Sequence, residues 1–468
     1  MYVLLILLSI SYFYCLPFFT SSLLGYTELR LYDVLMMIVG VLLVVKHSDK
    51  MKEFFRKSDA GKWIYRFSLW ASLTSLVTFA MAALDGNVEW VAVTAIRLFH
   101  LWGFILAYAA FYIFSKTREQ CYQQLTVFII VGVIEAILIS LQSANVLPSF
   151  WGTRYSLYGS LVFSGTLGPN RAVPGHVLVL VVAVGMTFIL NRKAVGVPRF
   201  LLGAVAVVLS VGALILTGSR TGWVTCIVFL MMMLTNRKYA IQMVAAFALA
   251  TIALIVFAPD VLKDRATEMF DYKISSHLEQ VQSDDLVENF QAIDTGRMKI
   301  WGQGLDAILT NAWVIPFGAG FNNYPILHRG PSAVNTYITL LAEVGVVGLF
   351  MYLMWIASLW KDSTRLVDTA YKLESASRTV VVPLASRPLV AAMIVSLVGG
   401  EILYIFRPTY SFLGMFLFLI AIMNHPALVF GADGIRLLQR IRKPSLIKPE
   451  NTHEGPSYTT QQSGEYPR

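Results

Sequence analysis

The chain has 468 residues, of which 56 % are apolar and only 14 % are charged. Soluble domains carry about a quarter charged residues, so this composition excludes an ordinary soluble globular protein. The net charge of +9 is concentrated in a few connections between apolar runs and does not indicate a nucleic-acid-binding surface.

Apolar runs of the length that crosses a bilayer, roughly 17–25 residues, recur along the chain. They are continuous rather than alternating, which indicates helices and not the strands of a barrel. We therefore predict an all-α, polytopic helical membrane protein with about 12 transmembrane helices and one large periplasmic loop. The predicted spans lie near residues 2–20, 31–46, 63–83, 90–114, 123–143, 172–191, 200–217, 222–235, 239–258, 336–360, 389–406 and 410–424.

The distribution of basic residues predicts the orientation. With a cytoplasmic N-terminus, the inside segments hold 24 of the 37 Lys and Arg residues and the outside segments hold 11. Because cytoplasmic connections are enriched in Lys and Arg, this bias predicts that both termini are cytoplasmic. The first run has no basic segment before it and no small-residue cleavage site, so we expect a retained helix and not a signal peptide.

Residues 1–424 form the predicted transmembrane domain, which contains the large periplasmic loop 259–335. Residues 425–468 are predicted to be a cytoplasmic extension. It begins with the basic amphipathic stretch GIRLLQRIRK, which is expected to lie on the inner leaflet. The polar end of the chain is expected to be disordered.

Few charged residues fall within the predicted spans, and each is expected to face the bundle interior. Arg97 and His100 share a helical face and are expected to pair with a carboxylate such as Glu135. The pair is either structural or a polar lining for a headgroup or acceptor sugars. The three cysteines are far apart, which predicts buried thiols and neither a disulfide nor a metal site.

The connection LTGSRTGW, residues 216–223, lies between the seventh and eighth spans. Gly218 and Gly222 are predicted to allow a tight turn that holds Arg220 at the membrane edge. A guanidinium at headgroup depth suits a phosphate, because it binds phosphate oxygens in a fork. The alternative is an arginine that only snorkels to the interface.

The large loop contains TGRMKIWGQGLDAIL, residues 295–309, whose apolar spacing predicts an amphipathic helix. It continues through PFGAGFNNY, residues 316–324, to SAVNTYITLLAEVGVVG, residues 332–348. Carboxylates outnumber basic residues in this loop, so Arg297 and Arg329 would be local positive points suited to a discrete anion.

The connection FSGTLGPNRAVPGH, residues 163–176, is broken by Gly and Pro at the predicted outer surface. Asn170, Arg171 and His176 either line the same outer cavity or belong to a plain turn.

Four elements follow one another along the chain: FSGTLGPN, LTGSRTGW, GRMKIW…PFGAGFNNY and VNTYITLLAEVGVVG. With these four elements in this order, the chain resembles the O-antigen ligase/O-antigen polymerase family of bacterial envelope glycosyltransferases. The resemblance implies an enzyme at the periplasmic face of the inner membrane. Such enzymes take saccharide from an undecaprenyl-diphosphate carrier, and the resemblance implies that Arg220 and Arg297 contact the diphosphate. A diphosphate is a good leaving group, so we predict no metal and no cofactor.

The chain departs from the family pattern where many members, ligases in particular, carry a histidine before the asparagine that ends the loop. Here that position is Val334, which cannot accept a proton. We therefore name His328 and Glu343 as candidate catalytic bases. Further predicted substrate-binding residues are Arg171, His176, Asn335 and Arg97.

The missing histidine favours a polymerase of lipid-linked repeat units over a ligase that transfers polymer to lipid A core or protein. A lipid-linked saccharide transporter is the alternative of another class. The absence of internal repeats and the polar motifs at one surface favour an enzyme. Expected partners are the lipid-linked saccharide, membrane lipid, a chain-length regulator and a flippase, with no nucleic acid.

Overall fold

The computed structural model describes residues 1–16, 19–21, 27–150, 163–168, 172–235, 297–311, 313–324, 335–374, 380–399 and 411–431. This part of the chain is almost entirely helical. Its helices are α1 Tyr2–Ser11, α2 Leu31–Lys57, α3 Asp59–Leu84, α4 Val88–Phe114, α5 Arg118–Ser143, α6 Ala172–Leu190, α7 Arg192–Val195, α8 Val197–Leu216, α9 Arg220–Leu234, α10 Arg297–Thr310, α11 Val314–Phe317, α12 Thr336–Glu374, α13 Ser386–Gly399 and α14 Phe412–Met423.

Eight helical segments within the described residues are long and apolar enough to cross a membrane. Helices α1, α9 and α13 each contain a shorter apolar segment. The prediction of an all-α polytopic membrane protein is therefore confirmed. The count of about 12 spans stays a prediction, since the predicted ninth span, 239–258, lies outside the described residues.

The first predicted span, 2–20, is wrong in its length, because α1 ends at Ser11. Backbone N–H and carbonyl groups that would form helical hydrogen bonds in a longer helix form hydrogen bonds with Thr166 instead. The Cys15 N–H donates to the Thr166 carbonyl at 3.1 Å, and the Thr166 hydroxyl lies 2.9 Å from the Phe13 carbonyl oxygen. Beyond this point strands β1 (Phe19–Ser21) and β2 (Thr27–Leu29) pair in an antiparallel hairpin.

Connections between helices lie at two ends of the bundle. The loop face is the end that carries residues 163–168, 217–219 and 313–324, and the opposite face carries residues 115–119, 191–196, 380–385 and 425–431.

Contacts between segments distant in sequence join residues at the same end of the bundle. On the opposite face, Arg118 donates to the Leu428 and Val429 carbonyls. On the loop face, the Thr78 hydroxyl donates to the Phe321 carbonyl at 2.9 Å. These contacts join segments that the predicted alternation of spans places on the same side. Which face is cytoplasmic stays a prediction.

Two long helices contain a break. Helix α2 is non-helical at His47, where the second predicted span ends, and continues to Lys57. Helix α12 is broken at Gly345 and continues past the predicted end of the tenth span, near 360, to Glu374. The apolar segment that starts at Phe412 continues to Gly431, past the predicted end of the transmembrane domain at residue 424. The division between this domain and the extension 425–468 stays a prediction.

The predicted pairing with a carboxylate is confirmed for His100, but the carboxylate is not that of Glu135. The His100 imidazole instead contacts Asp33, with Nε2 2.7 Å from Oδ1, and both side chains are buried. Asp33 lies in the first turn of α2, at the edge of a predicted span, and the sequence pattern did not single it out. Glu135 accepts from the Thr166 backbone N–H at 2.9 Å and also contacts the Thr166 hydroxyl.

Candidate functional site

The turn between α8 and α9 has the compact shape that its sequence predicts. Gly218 has φ +61°, in the left-handed region that glycine adopts without strain. The Ser219 hydroxyl then accepts from the Gly222 N–H at 3.1 Å and caps the N-terminus of α9. Arg220 is consequently the first residue of α9, at a helix end where free backbone N–H groups favour an anion.

Gly222 serves a different purpose from the one predicted. A Cβ at Gly222 would lie 2.9 Å from the Gly175 Cα, and a Cβ at Gly175 would lie 2.6 Å from the Ser219 side chain. The two glycines therefore allow close contact between α6 and α9, while Gly218 alone supplies the turn. This contact joins the segments FSGTLGPNRAVPGH and LTGSRTGW.

His176 lies in the same contact between α6 and α9 and is fully buried. Its Nδ1 is 2.7 Å from the Ala172 carbonyl oxygen, and its Nε2 is 3.0 Å from the Thr225 hydroxyl. Both ring nitrogens thus have protein partners. Its predicted role as a substrate ligand stays a prediction.

The segment 163–168 is held by two side chains of α5 that lie two helical turns apart. Gln142 Oε1 accepts from the N–H groups of Ser164 (3.2 Å) and Gly165 (2.9 Å). Glu135, seven residues earlier, accepts from Thr166, the next residue of the segment. Gly165 has φ +56°, and a Cβ there would lie 2.2 Å from a Glu135 carboxylate oxygen. The segment is a fitted element of the bundle and not a plain turn.

The segment PFGAGFNNY packs against the break in α12. The Ala319 N–H donates to the Ala342 carbonyl at 2.7 Å, and the Gly320 N–H donates to the Glu343 carbonyl at 3.0 Å. The Trp70 indole N–H donates to the Val344 carbonyl at 2.8 Å. Backbone polar groups inside a membrane need protein partners, so these donors stabilise the broken helix.

Close backbone contact fixes the position of this break. Gly345 has φ +67°, and a Cβ there would lie 2.6 Å from both the Gly318 nitrogen and the Pro316 oxygen. A side chain at Gly318 would in turn meet the Glu343 carbonyl. The loop segment 316–324 and the start of α12 therefore form one unit.

The end of the segment enters the bundle beside α3 and α4. Asn322 and Asn323 are buried, and the Asn322 amide donates to the Thr94 hydroxyl at 3.0 Å. The Asn323 amide donates to the Ala319 carbonyl at 2.8 Å. Tyr324 packs on α10 at Gly304, where an added Cβ would lie 2.5 Å from the phenol oxygen.

Glu343 is fully buried, and its Oε1 lies 3.4 Å from the Tyr324 backbone nitrogen. Burial and the Glu343 carboxylate raise the pKa of the Tyr324 phenol to about 12, so this phenol stays protonated at neutral pH. Asn335 caps α12, since its Oδ1 accepts from the N–H groups of Tyr337 (3.0 Å) and Ile338 (3.2 Å).

The remaining predicted site residues are only partly visible or lie outside the described residues. The structure describes the backbone alone for Arg220 and Arg297, and Arg297 is the first described residue of α10. Arg97 is half-buried near the loop face, and its Nε and Nη1 atoms have no hydrogen-bond partner in the described part of the chain. The predicted residues outside the described part of the chain are Asn170, Arg171, His328, Arg329 and Val334.

The motifs form two pairs, FSGTLGPN with LTGSRTGW and PFGAGFNNY with VNTYITLLAEVGVVG. Helix α13 contacts helices from both pairs. It packs against α9, which carries Arg220, and against α12, where the Tyr337 hydroxyl donates to the Ile394 carbonyl at 3.1 Å. Sequence reasoning missed the residues that hold these motifs in place. Trp70, Thr94 and Gln142 belong to predicted spans, and their polar groups in apolar helices were the available signal.

The described residues define a polytopic helical membrane protein with paired polar motifs on one face of the bundle. Residues 205–353 match the family model described as O-antigen ligase. The matched range includes LTGSRTGW, GRMKIW…PFGAGFNNY and VNTYITLLAEVGVVG, whereas FSGTLGPN lies before it. This match confirms the resemblance and supports assignment to the O-antigen ligase/polymerase family. No curated protein matches the chain.

Proposed function

We propose that this protein is an inner-membrane glycosyltransferase that polymerises undecaprenyl-diphosphate-linked oligosaccharide repeat units at the periplasmic face. The family match supports the ligase or polymerase class of activity. The observation that carries the proposal is the pairing of all four motifs on the loop face, with Arg220 at the N-terminus of α9.

The reaction needs a stabilised leaving group. An acceptor hydroxyl attacks the anomeric carbon of the donor, forms the new glycosidic bond and breaks the bond from that carbon to the diphosphate. The electron pair stays on the lipid diphosphate, and the guanidiniums of Arg220 and Arg297 stabilise the growing negative charge. Free N–H groups at the N-terminus of α9 add to the same effect.

The proton of the acceptor hydroxyl passes to a base, for which His328 and Glu343 remain the candidates. Glu343 is buried behind the Tyr324 backbone, so it acts as the base only if the acceptor hydroxyl enters the bundle beside α12. Arg171, His176, Asn335 and Arg97 are proposed substrate-binding residues. A chain-length regulator and a flippase are the proposed partners.

A ligase that transfers completed polymer to lipid A core or protein is the second candidate. The description of the matching family model favours it, whereas Val334 at the usual histidine position favours a polymerase. The two activities share the donor chemistry and differ in the acceptor.

A saccharide profile of a deletion strain separates these candidates. Lipid-A-linked, carrier-linked and secreted saccharides would be fractionated by size. Single repeat units in place of long polymer are the expected result. Full-length polymer stranded on the carrier would establish a ligase instead. Loss of long polymer with the single units retained on the cytoplasmic side of the membrane would indicate a transporter.

A further inference from the structure

One face of α4 presents polar side chains to the end of the loop segment 316–324. Trp90, Thr94 and Arg97 are spaced by four and three residues and so lie on the same side of the helix. The Asn322 amide donates to the Thr94 hydroxyl at 3.0 Å, which places the tip of the segment against this face. Asn323 follows directly and lies beside Met81 of α3.

Four side chains near this contact carry buried polar atoms that have no hydrogen-bond partner among the described residues. They are Nε1 of Trp90, Nε and Nη1 of Arg97, Oδ1 of Asn322 and Oδ1 of Asn323. Asn322 and Asn323 are 0 % and 1 % exposed as whole residues. Buried polar groups in native proteins are nearly always satisfied, so such a cluster indicates a missing partner.

The orientation of the Asn323 amide is determined by its other contact. The Asn323 amide nitrogen faces the Ala319 carbonyl, which only accepts, so the oxygen is the atom that remains without a partner. Rotation of the Asn322 amide would exchange its unpartnered oxygen for an unpartnered nitrogen. A polar atom at this position therefore needs a ligand in either orientation.

We propose that Trp90, Arg97, Asn322 and Asn323 form a saccharide-binding niche at the loop-face end of α4. The niche offers two kinds of donor, an indole N–H and a guanidinium, beside two amide oxygens that accept. Sugar hydroxyls both donate and accept, so they satisfy this mixture. A diphosphate only accepts and would meet the amide oxygens unfavourably, and a lipid chain would satisfy none of these atoms.

Trp90 and Arg97 are partly exposed as whole residues and mark the side of the niche toward the surface, although their nitrogens without a partner are themselves buried. It lies on α4 and the loop segment, whereas Arg220 begins α9. The inference rests on the proposed function and extends it. It assigns the sugar rings of the lipid-linked substrate to residues separate from those proposed for the diphosphate.

The test uses the full-length protein in lipid nanodiscs and the repeat-unit oligosaccharide released from its lipid diphosphate. Binding of this free oligosaccharide is measured for the wild type, Arg97→Met and Asn322→Leu. Each variant removes polar atoms while keeping a similar shape, and each is expected to bind at least about tenfold more weakly.

Asn424→Leu is the matched control. Asn424 also carries a buried Oδ1 without a partner, but it lies on the opposite face, where its amide donates to the Ser363 hydroxyl. The Asn424→Leu variant should bind the oligosaccharide with the affinity of the wild type. If Arg97→Met or Asn322→Leu does not fold, Trp90→Phe removes the indole N–H while keeping an aromatic ring and carries the test.

The outcomes for the niche and for the proposed function are distinguishable. Wild-type affinity in the niche variants, or displacement of the oligosaccharide by inorganic diphosphate, would overturn the niche. Arg220→Ala should keep oligosaccharide binding and lose transfer. If the wild type binds the oligosaccharide through the niche but transfers nothing from the lipid-linked form, the niche stands and the proposed function fails.

Discussion

Single residues of the loop face explain why its motifs contain glycine. Gly218 supplies a left-handed turn, while Gly175 and Gly222 remove side chains where α6 and α9 meet. The sequence predicted the turn, because glycine pairs in a short connection are a local signal. It did not predict the close helix contact, which depends on how distant segments pack.

Gly222→Ala is expected to destabilise the protein by about 1–3 kcal/mol, the usual range for overpacking a tight contact. The added Cβ would meet the Gly175 backbone, which has no rotamer with which to move away. Gly302→Ala in α10 is the control, since a Cβ there meets nothing within 4 Å. Thermal unfolding of the purified proteins in detergent measures both. Equal midpoints for the two variants would contradict the packing role.

The proposed diphosphate ligands make a second prediction at this scale. Arg220→Ala and Arg297→Ala should each lower polymer formation about 100–1000-fold, because one preorganised donor to the leaving group is lost. Arg→Lys at either position should also be impaired, because the guanidinium fork is lost.

Complementation of a deletion strain, with membrane accumulation as the reference, measures the arginine variants. Arg387→Ala is a suitable control, since Arg387 stacks on Trp360 at the opposite face. Near-normal polymer from both alanine variants would remove Arg220 and Arg297 from the mechanism.

At the scale of elements, the break in α12 links the large loop to the bundle. Three successive carbonyls, those of Ala342, Glu343 and Val344, accept from Ala319, Gly320 and Trp70, which lie outside the helix. The existence of α12 could be predicted from its hydropathy, which is a property of one segment. The break could not, because it depends on a loop segment that packs against Gly345.

Trp70→Phe should cost about 1–3 kcal/mol, because it leaves the Val344 carbonyl without this donor at a buried helix break. Trp102→Phe is the matched control, since the Trp102 indole donates to the Ser72 hydroxyl and not to a backbone carbonyl. A smaller loss is expected there, because a hydroxyl can rotate toward another partner. Thermal unfolding of both variants in the same detergent measures the two losses of stability. Equal losses would show that the break needs no indole donor.

The buried charges show a further limit of sequence reasoning. Arg97, His100 and Glu135 were singled out correctly as polar residues of apolar helices, and His100 has a carboxylate partner as expected, but that partner is not Glu135. His100 contacts Asp33 and Glu135 contacts Thr166, and both partners lie near the ends of segments. Helical spacing gives the face of each residue, whereas the identity of the neighbouring helix comes only from the fold.

For the whole molecule, the proposed transfer at the periplasmic side of the membrane requires that the loop face is periplasmic. Asp85→Cys and Ala144→Cys place exposed thiols at predicted periplasmic positions, and Lys116→Cys and Lys193→Cys place them at predicted cytoplasmic positions. The native cysteines, Cys15, Cys121 and Cys226, are all buried and should contribute little background.

A membrane-impermeant maleimide should label the first two variants in intact cells and the last two only after permeabilisation. The expectation follows from the distribution of Lys and Arg among the connections. The reverse labelling pattern would overturn the predicted orientation and with it the periplasmic site.

The most direct measurement is transfer by the purified protein in nanodiscs with an undecaprenyl-diphosphate-linked repeat unit as the only saccharide. If the protein is a polymerase, lipid-linked products of increasing size form, and undecaprenyl diphosphate is released in step with each new glycosidic bond. Release of undecaprenyl diphosphate without growth, only after lipid A core is added, would identify a ligase. No release from either mixture by folded protein would contradict the proposed glycosyltransferase.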